Sequence, residues 1–542
     1  MNITKTAVLF ISVFLLTAGA AFTSMAAAYE WYQEGDTWRC RGRDGADVTD
    51  EWVKSGQDMY RLDEKGELAV SGLIEAEEGL YFVDADGKMV KNDWRRLKNE
   101  DYPGECEDEY SWYYFTSNGK AQKARDNGKP VTINDKKYFF SEEGRMLHGW
   151  IDEDGRMSGE DYPYRTAMYY CGDEEDGVVR TGWNRIMVED PDAEDVYDTD
   201  YWFFFNKNGQ KFSARTDEVL AEKTINGSRY AFDEYGVMQA EWQPAASTSS
   251  AASASISSYY WFRDKETGAR LKKGWFRVLP EKLVNEEDCN DETPHWYYAS
   301  GGGKLAESCI KDIKGKRYAF NEKGEMLSGL VCLAMDPDPD HKNKIVAYDV
   351  IDTEAEAEKV RKGTYGKAPL LTDEGELDET GYTGLEFYFL GNEETDGSMK
   401  TGTVYLNIEG TKYTFCFGDK GSSKYKALHD FMYKNCYYIY GARVCADEDI
   451  KYQAFKAYDC SSETEVFAPI TAATKAEDIK IKDAEANPVS WRDIKNDPTL
   501  GGTWNCSYIL ISDKGSVVKN GIKKDADGNR YKVTNYSAEA ID

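Results

Sequence analysis

The feature that most constrains the fold is self-similarity. An aromatic pair, a Gly turn and a small residue before Trp recur as one phrase, in KYFFSEEGRMLHGW (Lys137 to Trp150) and RYAFDEYGVMQAEW (Arg229 to Trp242). Related copies are MYRLDEKGELAVSGL (Met59 to Leu73), LYFVDADGKMVKNDW (Leu80 to Trp94) and RYAFNEKGEMLSGL (Arg317 to Leu330). A chain that repeats itself in this way is an array of small units, each supported by its neighbours.

The closing positions, in order, are Trp52, Leu73, Trp94, Trp150, Trp183, Trp242, Trp275 and Leu330. After two short steps of about 20 residues they alternate between steps of roughly 57 and 33, so the larger period is about 90. Each long step holds two aromatic phrases: the copy at Trp112 pairs with that at Tyr138, Tyr201 with Tyr230, and His295 with Tyr318. The intermediate steps hold one, as in MYYCGDEEDGVVRTGW (Met168 to Trp183). The spacing reads as duplication of a composite unit.

Each phrase reads as a β-hairpin. Alternating aromatics make a strand with one buried face, and Asn118-Gly119, Asn208-Gly209, Asp86-Gly87 and the EEG, EKG and EYG tripeptides supply the positive φ of a tight turn. A lone hairpin is marginal in water, so successive hairpins must stack to cover their aromatic faces. The expected fold class is all-β: an elongated β-hairpin repeat solenoid with a divergent β-rich C-terminal region.

The expected divisions are a signal peptide at 1–28, hairpin repeats at 29–333, degenerate repeats with an enlarged loop at 334–411, a divergent β-rich segment and spacer at 412–503, and a terminal hairpin cap at 504–542. Lys5, the apolar run from Ala7 to Ala21 and the small residues Ala26 to Ala28 have the layout of a secretory leader. The C-terminus NYSAEAID offers no anchor, so the mature chain is expected to be secreted and to associate noncovalently with the cell wall. A short helix is expected over Thr353 to Gly363, and Ala245 to Ser258 reads as an expanded low-complexity loop.

With 98 acidic and 67 basic residues the formal charge is −31, which disfavours nucleic acid and anionic membranes and favours cationic ligands. The acid is concentrated at Asn99 to Ser111, Glu189 to Asp200 and Asn285 to Thr293, each between a closing residue and the next aromatic pair. These segments read as solvated excursions. Eleven Cys make an odd count without a CxxC pair. Disulfides are open among Cys416, Cys436, Cys445 and Cys460, while Cys171 reads as a small core residue.

The Trp or Leu closure, the WYY pair, the xxNG or xEKG turn and the Met-x-x-Gly-Trp ending resemble the cell-wall-binding repeats of Gram-positive surface proteins, the group with choline-binding modules and glucan-binding repeats. The resemblance covers Trp31 to Leu330 well and thins towards Gly402. It implies a ligand box between adjacent hairpins, holding a quaternary ammonium by cation–π attraction. The matching positions are Trp94 with Trp112, Trp183 with Trp202, and Trp275 with Trp296; Tyr138, Tyr230 and Tyr318 are the third walls. Two features depart from the family pattern: Leu73 and Leu330 replace tryptophans, and acidic loops separate the two Trp of each pair. The same aromatics also read as plain core, since large aromatics mostly serve burial.

Catalytic motifs are absent from the sequence. There is no GxSxG, HExxH or Walker loop. Of four His, His148 and His295 lie in repeats, and His429 with Cys436 or Cys445 forms no motif. DADG at Asp84 and Asp525 lacks the layout of a calcium loop and reads as turn chemistry. No catalytic residue, cofactor or metal is therefore expected. The expected partner is a cell-wall polymer, through a choline-type group or a glucan. The alternative is a structural or adhesive stalk whose divergent C-terminal region meets a host or surface protein.

Overall fold

The computed structural model describes residues 29–76, 79–99, 109–193, 199–215, 218–245, 255–361, 365, 385–394, 396–429, 431–446, 449–457 and 507–541. Among them the fold is all-β, built of small antiparallel sheets, most with two strands, and three short α-helices, α1 (Pro163–Thr166), α2 (Glu286–Asn290) and α3 (Glu354–Arg361). The expected leader at 1–28, Cys460 and the expected spacer from Glu463 to Thr499 lie outside the described residues. Among the described residues no helix is long and apolar enough to cross a membrane.

The chain divides into two compact units. The first runs to Ser213 and includes Tyr235–Val237; the second comprises Ala214–Glu234 and Met238 onwards. In the first, the longest ladders join Asp93–Lys98 to Tyr110–Phe115 and Gly182–Val188 to Thr199–Phe205. In the second, Glu241–Pro244 pairs with Tyr259–Phe262 and Gly274–Val278 with His295–Ala299. The strands of Trp94, Trp183 and Trp275 thus each pair with the next aromatic strand in the chain, and the acidic segment connects the two paired strands.

This pairing corrects the phrase-by-phrase reading. The turn after an aromatic strand returns through a single bridge, as in Phe115 with Ala121, Phe140 with Met146 and Phe320 with Met326. The segments GWNRIMV and TDYWFFF carry the β-branched and aromatic side chains that favour a long ladder. Two-residue hairpin turns do occur, at Asn226-Gly227 and Lys314-Gly315, where both residues have positive φ.

Closing tryptophans join one hairpin to the next. The ring centroid of Trp52 lies 5.1 Å from Tyr81, and that of Trp150 lies 5.2 Å from Phe203. In the second unit Trp242 lies 5.1 Å from Tyr297 and Trp275 4.8 Å from Tyr318. The two leucines behave differently. Leu73 is 40% exposed and plugs nothing; Phe82 bridges to Phe115 in its place, at 5.9 Å. Leu330 is 2% exposed, inside a sheet rather than between hairpins.

That sheet has the order Ile345–Val350, Gly329–Met335, Glu386–Leu390. Its central strand is apolar throughout because both faces are covered. Leu330 and Cys332 join the cluster containing Phe387, Phe415 and Phe417, while Val331 and Leu333 join that of Ile310, Tyr388 and Leu390. The expected short helix forms over Glu354–Arg361 and buries Ala357 and Val360 in the first cluster. Next comes a five-stranded sheet in the order Gly402–Ile408, Thr411–Phe417, Ala442–Arg443, Cys436–Ile439, Phe431–Tyr433. Near the C-terminus Gly521–Lys524, Arg530–Thr534 and Ser537–Ile541 make a three-stranded sheet.

The eight described cysteines are thiols, Cys416, Cys436 and Cys445 among them; Cys171 is fully buried.

Candidate functional site

Because the acidic segment is a hairpin tip, it does not separate the two tryptophans of a candidate pair; the ladder brings them together. Trp94 faces Tyr114 and Arg96 faces Trp112, so Trp94 and Trp112 are diagonal neighbours on one face. The same register sets Trp183 against Phe204 with Arg185 against Trp202, and Trp275 against Tyr298 with Arg277 against Trp296. In the latter two hairpins the tryptophan rings stand nearly perpendicular, at 87° and 84°, with centroids 6.3 Å apart in each.

The third wall comes from the following hairpin. Tyr318 lies 4.8 Å from Trp275 at 64°, and Tyr138 lies 4.9 Å from Trp94 at 57°. Trp94 and Trp112 pack with buried Tyr138 and Phe140, and Trp275, Trp296 and Tyr318 pack with buried Tyr298 and Phe320. Tyr230 belongs to the second unit, whereas Trp183 and Trp202 belong to the first. The tryptophans are half-buried, so each is part of the core and also presents an edge to solvent.

Charge surrounds these corners. The Glu175 carboxylate accepts from Trp112 Nε1 at 3.2 Å and pairs with Arg96 at 2.9 Å. Burial, then the negative charge of Asp176, pushes the Tyr138 hydroxyl up. At the other corner burial and the Asp396 carboxylate push Tyr318 up, and Asp396 is itself paired with Lys316 at 2.9 Å and Lys400 at 2.8 Å. Trp202 Nε1 and Trp296 Nε1 are buried without a hydrogen-bond partner. The arginine opposite each second tryptophan escaped the sequence reading. Its signal was present as Trp-x-Arg at Trp94, Trp183 and Trp275.

A second aromatic surface also went unread. Trp242, Trp261, Trp275 and Phe276 line a cavity of about 750 Å³ together with Leu279 and Glu281. The rings of Trp261 and Phe276 are stacked at 17° with centroids 5.4 Å apart, and Trp242 Nε1 donates to Leu279 O at 2.8 Å. Trp261 sits in the YYWF strand opposite Trp242, where the hairpins closed by Trp94, Trp150, Trp183 and Trp275 place Tyr or Phe.

The residues weighed for catalysis have structural partners. His429 stacks on Tyr440 at 3.9 Å, and its Nδ1 accepts from the Tyr440 amide at 3.2 Å. Burial pushes the Cys445 thiol up. Asp84 and Asp525 each accept backbone amides of their own turns.

No family model matches the chain, and no curated protein matches it. Among solved structures it is similar to the modular autolysin LytC of Streptococcus pneumoniae in complex with a synthetic peptidoglycan ligand, with 17% identity over 56% of this chain and a TM-score of 0.32. The match spans about half of that autolysin, 54% of its chain. Choline binding protein F of the same organism, in the presence of a peptidoglycan analogue, is 15% identical over 73% of this chain and 98% of its own, with a TM-score of 0.27. Alternansucrase in complex with isomaltononaose is 13% identical over 71% of this chain and 20% of its own, with a TM-score of 0.18. Likenesses this slight carry no argument about function.

Proposed function

We propose that the chain is a noncatalytic, cell-surface or secreted binding protein that holds a cell-wall polymer through several weak aromatic sites, each taking a choline-type ammonium group. The observation that carries this reading is the perpendicular corner of Trp275 and Trp296 closed by Tyr318. Ring faces at right angles surround a compact cation, which is attracted to each face at once. Asp396 beside Tyr318 and Glu175 beside Trp112 add negative potential. The arginine facing each second tryptophan favours a ligand that carries an anionic group next to its ammonium over a bare cation. Repetition of the site makes retention multivalent.

A neutral glucan is the second reading, and the cavity at Trp242 favours it. The nearly parallel rings of Trp261 and Phe276 offer a flat apolar surface to a sugar ring.

Retention of the chain on purified walls, with choline and with glucan as competitors, separates the two. Under the first reading, choline displaces the chain and salt weakens binding. The double changes Trp94→Ala with Trp112→Ala, Trp183→Ala with Trp202→Ala, and Trp275→Ala with Trp296→Ala each weaken retention modestly, and together abolish it. Displacement by glucan alone, without salt dependence, selects the second. A folded chain retained by neither walls, choline nor glucan refutes both.

A further inference from the structure

The acidic tip between Val278 and His295 is folded onto its neighbour instead of standing free in solvent. Helix α2 (Glu286–Asn290) is capped by Asn285, whose Oδ1 accepts from the Asp288 amide at 3.4 Å. The Asn285 Nδ2 donates to Asp288 Oδ2 at 2.6 Å and to Glu325 Oε1 at 2.7 Å. Asn285 is 3% exposed and Glu325 7%. Glu325 lies in the turn of the next phrase, where Asn321 Nδ2 donates to its Oε2 at 2.8 Å and its own amide donates to Asn321 Oδ1 at 2.8 Å. His295 opens the strand after the tip and sets its Nε2 3.0 Å from Asp288 Oδ2. One donor atom each from Asp288, His295 and Glu325 lies within 4.8 Å of the other two.

A separate observation points to something bound here. Tyr297 is two residues beyond His295 and so on the same face of the strand. It is fully buried, 0% exposed, and its hydroxyl has no hydrogen-bond partner. A buried hydroxyl without a partner, on the strand face that carries His295, marks the place of a water or an ion.

We propose that Asp288, His295 and Glu325 bind one divalent transition-metal ion, and that Zn²⁺ is the ion the set suits. One imidazole with two carboxylates is a mixed nitrogen and oxygen set, whereas Ca²⁺ takes oxygen ligands alone and in greater number. The two carboxylates supply the charge that a divalent ion needs. Asn321 already holds the Glu325 carboxylate in place, as an outer partner does in metal sites. The ion takes over from the Asn285 amide as the positive pole between Asp288 and Glu325, and a water on the ion gives Tyr297 its partner. The result is a clasp that ties the acidic tip to the next hairpin, one residue from Trp296. It is independent of what the aromatic corners bind.

Calorimetric titration of the full chain with Zn²⁺, and an absorption titration with Co²⁺ as probe, test this. The expected result is one site per chain with a Kd below about 10 µM. Co²⁺ should give visible ligand-field bands without the near-ultraviolet band of a thiolate ligand, and Zn²⁺ should displace it. His295→Ala and Glu325→Gln should each weaken binding at least about tenfold, while Cys289→Ser leaves it unchanged. Should those variants fail to fold, the imidazole nitrogen resonances of the wild-type chain decide, because one of its four histidines, His295, must shift on adding Zn²⁺. Absence of stoichiometric binding, a thiolate band, or unaltered affinity in both folded variants overturns the proposal.

Discussion

Within the second unit, the hairpins up to Leu327 and the sheets from Gly329 to Arg443 begin from the same phrase and end in different cores. In the hairpins each closing Trp is half-buried and lies against two aromatics of the next hairpin, and Trp242 still satisfies its indole N–H at Leu279. At Leu330 the closing residue has no polar atom to satisfy, and it continues into VCLAM, which is buried on both faces. An indole tolerates a wet edge; a continuous apolar strand does not, so it recruits strands 345–350 and 386–390 and helix α3 (Glu354–Arg361) to cover it. The difference lies less in the closing residue than in the polarity of the strand it opens.

The strongest test of this contrast is truncation of a large side chain in each region. Phe415→Ala, at a fully buried position in a cluster that includes Leu330, Phe387 and Tyr413, should cost about 3–5 kcal/mol and unfold strands 329–443 as one block. Trp242→Ala should cost about 3 kcal/mol, since its ring is only half-buried, and the loss should stay with the adjoining hairpins. Hydrogen exchange resolves the two patterns. Equal spread of lost protection in both variants would remove the distinction between the regions.

A smaller effect probes how hairpins lock together. A Cβ at Gly177 would overlap the Met146 side chain, and φ there is +58°; at Gly149, with φ +67°, a Cβ meets nothing. Gly177→Ala should therefore cost about 2–3 kcal/mol, overpacking added to backbone strain, and Gly149→Ala only about 1 kcal/mol of strain. Met146→Ala in the Gly177→Ala background should recover part of the loss. Equal melting shifts for the two glycine variants would show that strain alone matters. The same Gly-against-Met contact recurs at Gly268 with Met238 and at Gly397 with Met326, which makes it a repeating joint.

Smaller again is the pH response of the Tyr318 corner. Burial acts to raise the Asp396 pKa, but hydrogen bonds from Lys400, Lys316 and Ser398 outweigh it and hold the carboxyl well below the usual range. A folded pKa below the unfolded one means stability that is present above about pH 4 and is lost as pH falls through the folded value. The melting midpoint of the wild type should drop as pH is lowered from about 5 to about 3, and Asp396→Asn should flatten that drop. An identical pH profile in the variant would exclude Asp396 as a source.

The hairpin class was legible because aromatic alternation and Gly turns repeat, and the short helix was legible from TEAEAEKVRKG. Which strand pairs with which was not. A Gly turn announces a reversal but does not say how long the returning ladder is, and here the long ladders cross the acidic tips. The pairs Trp183 with Trp202 and Trp275 with Trp296 come from the resemblance to cell-wall-binding repeats; Trp-x-Arg is visible in the sequence, but that each arginine stands opposite the second tryptophan emerges only with the register. Trp261 was invisible as a lining residue because most copies of its phrase place an aromatic there. Asn285, Asp288, His295 and Glu325 are separated by up to 40 residues, and nothing local marks their convergence.

The smallest expected effect contrasts the corner at Trp112 with that at Trp296. Trp112 Nε1 has a partner in Glu175, which also pairs with Arg96, whereas Trp296 Nε1 has none. The Glu175 and Arg96 side chains are 54% and 40% exposed, so their ion pair is screened by solvent and worth under about 1 kcal/mol. Glu175→Gln keeps an oxygen for the indole and removes the charge, and should change stability by about 0.5 kcal/mol or less. Its effect on ligand should be of a different kind. If the corner takes an ammonium group, choline affinity should fall modestly at low ionic strength, and the difference from wild type should vanish at about 0.5 M salt, where charges a few ångströms apart are largely screened. A stability loss above about 2 kcal/mol would make Glu175 a structural support of the hairpin tip, and unchanged low-salt affinity would take its carboxylate out of the site. The low-salt loss should thus belong to the Trp112 corner, and the Trp296 corner should be untouched by this substitution.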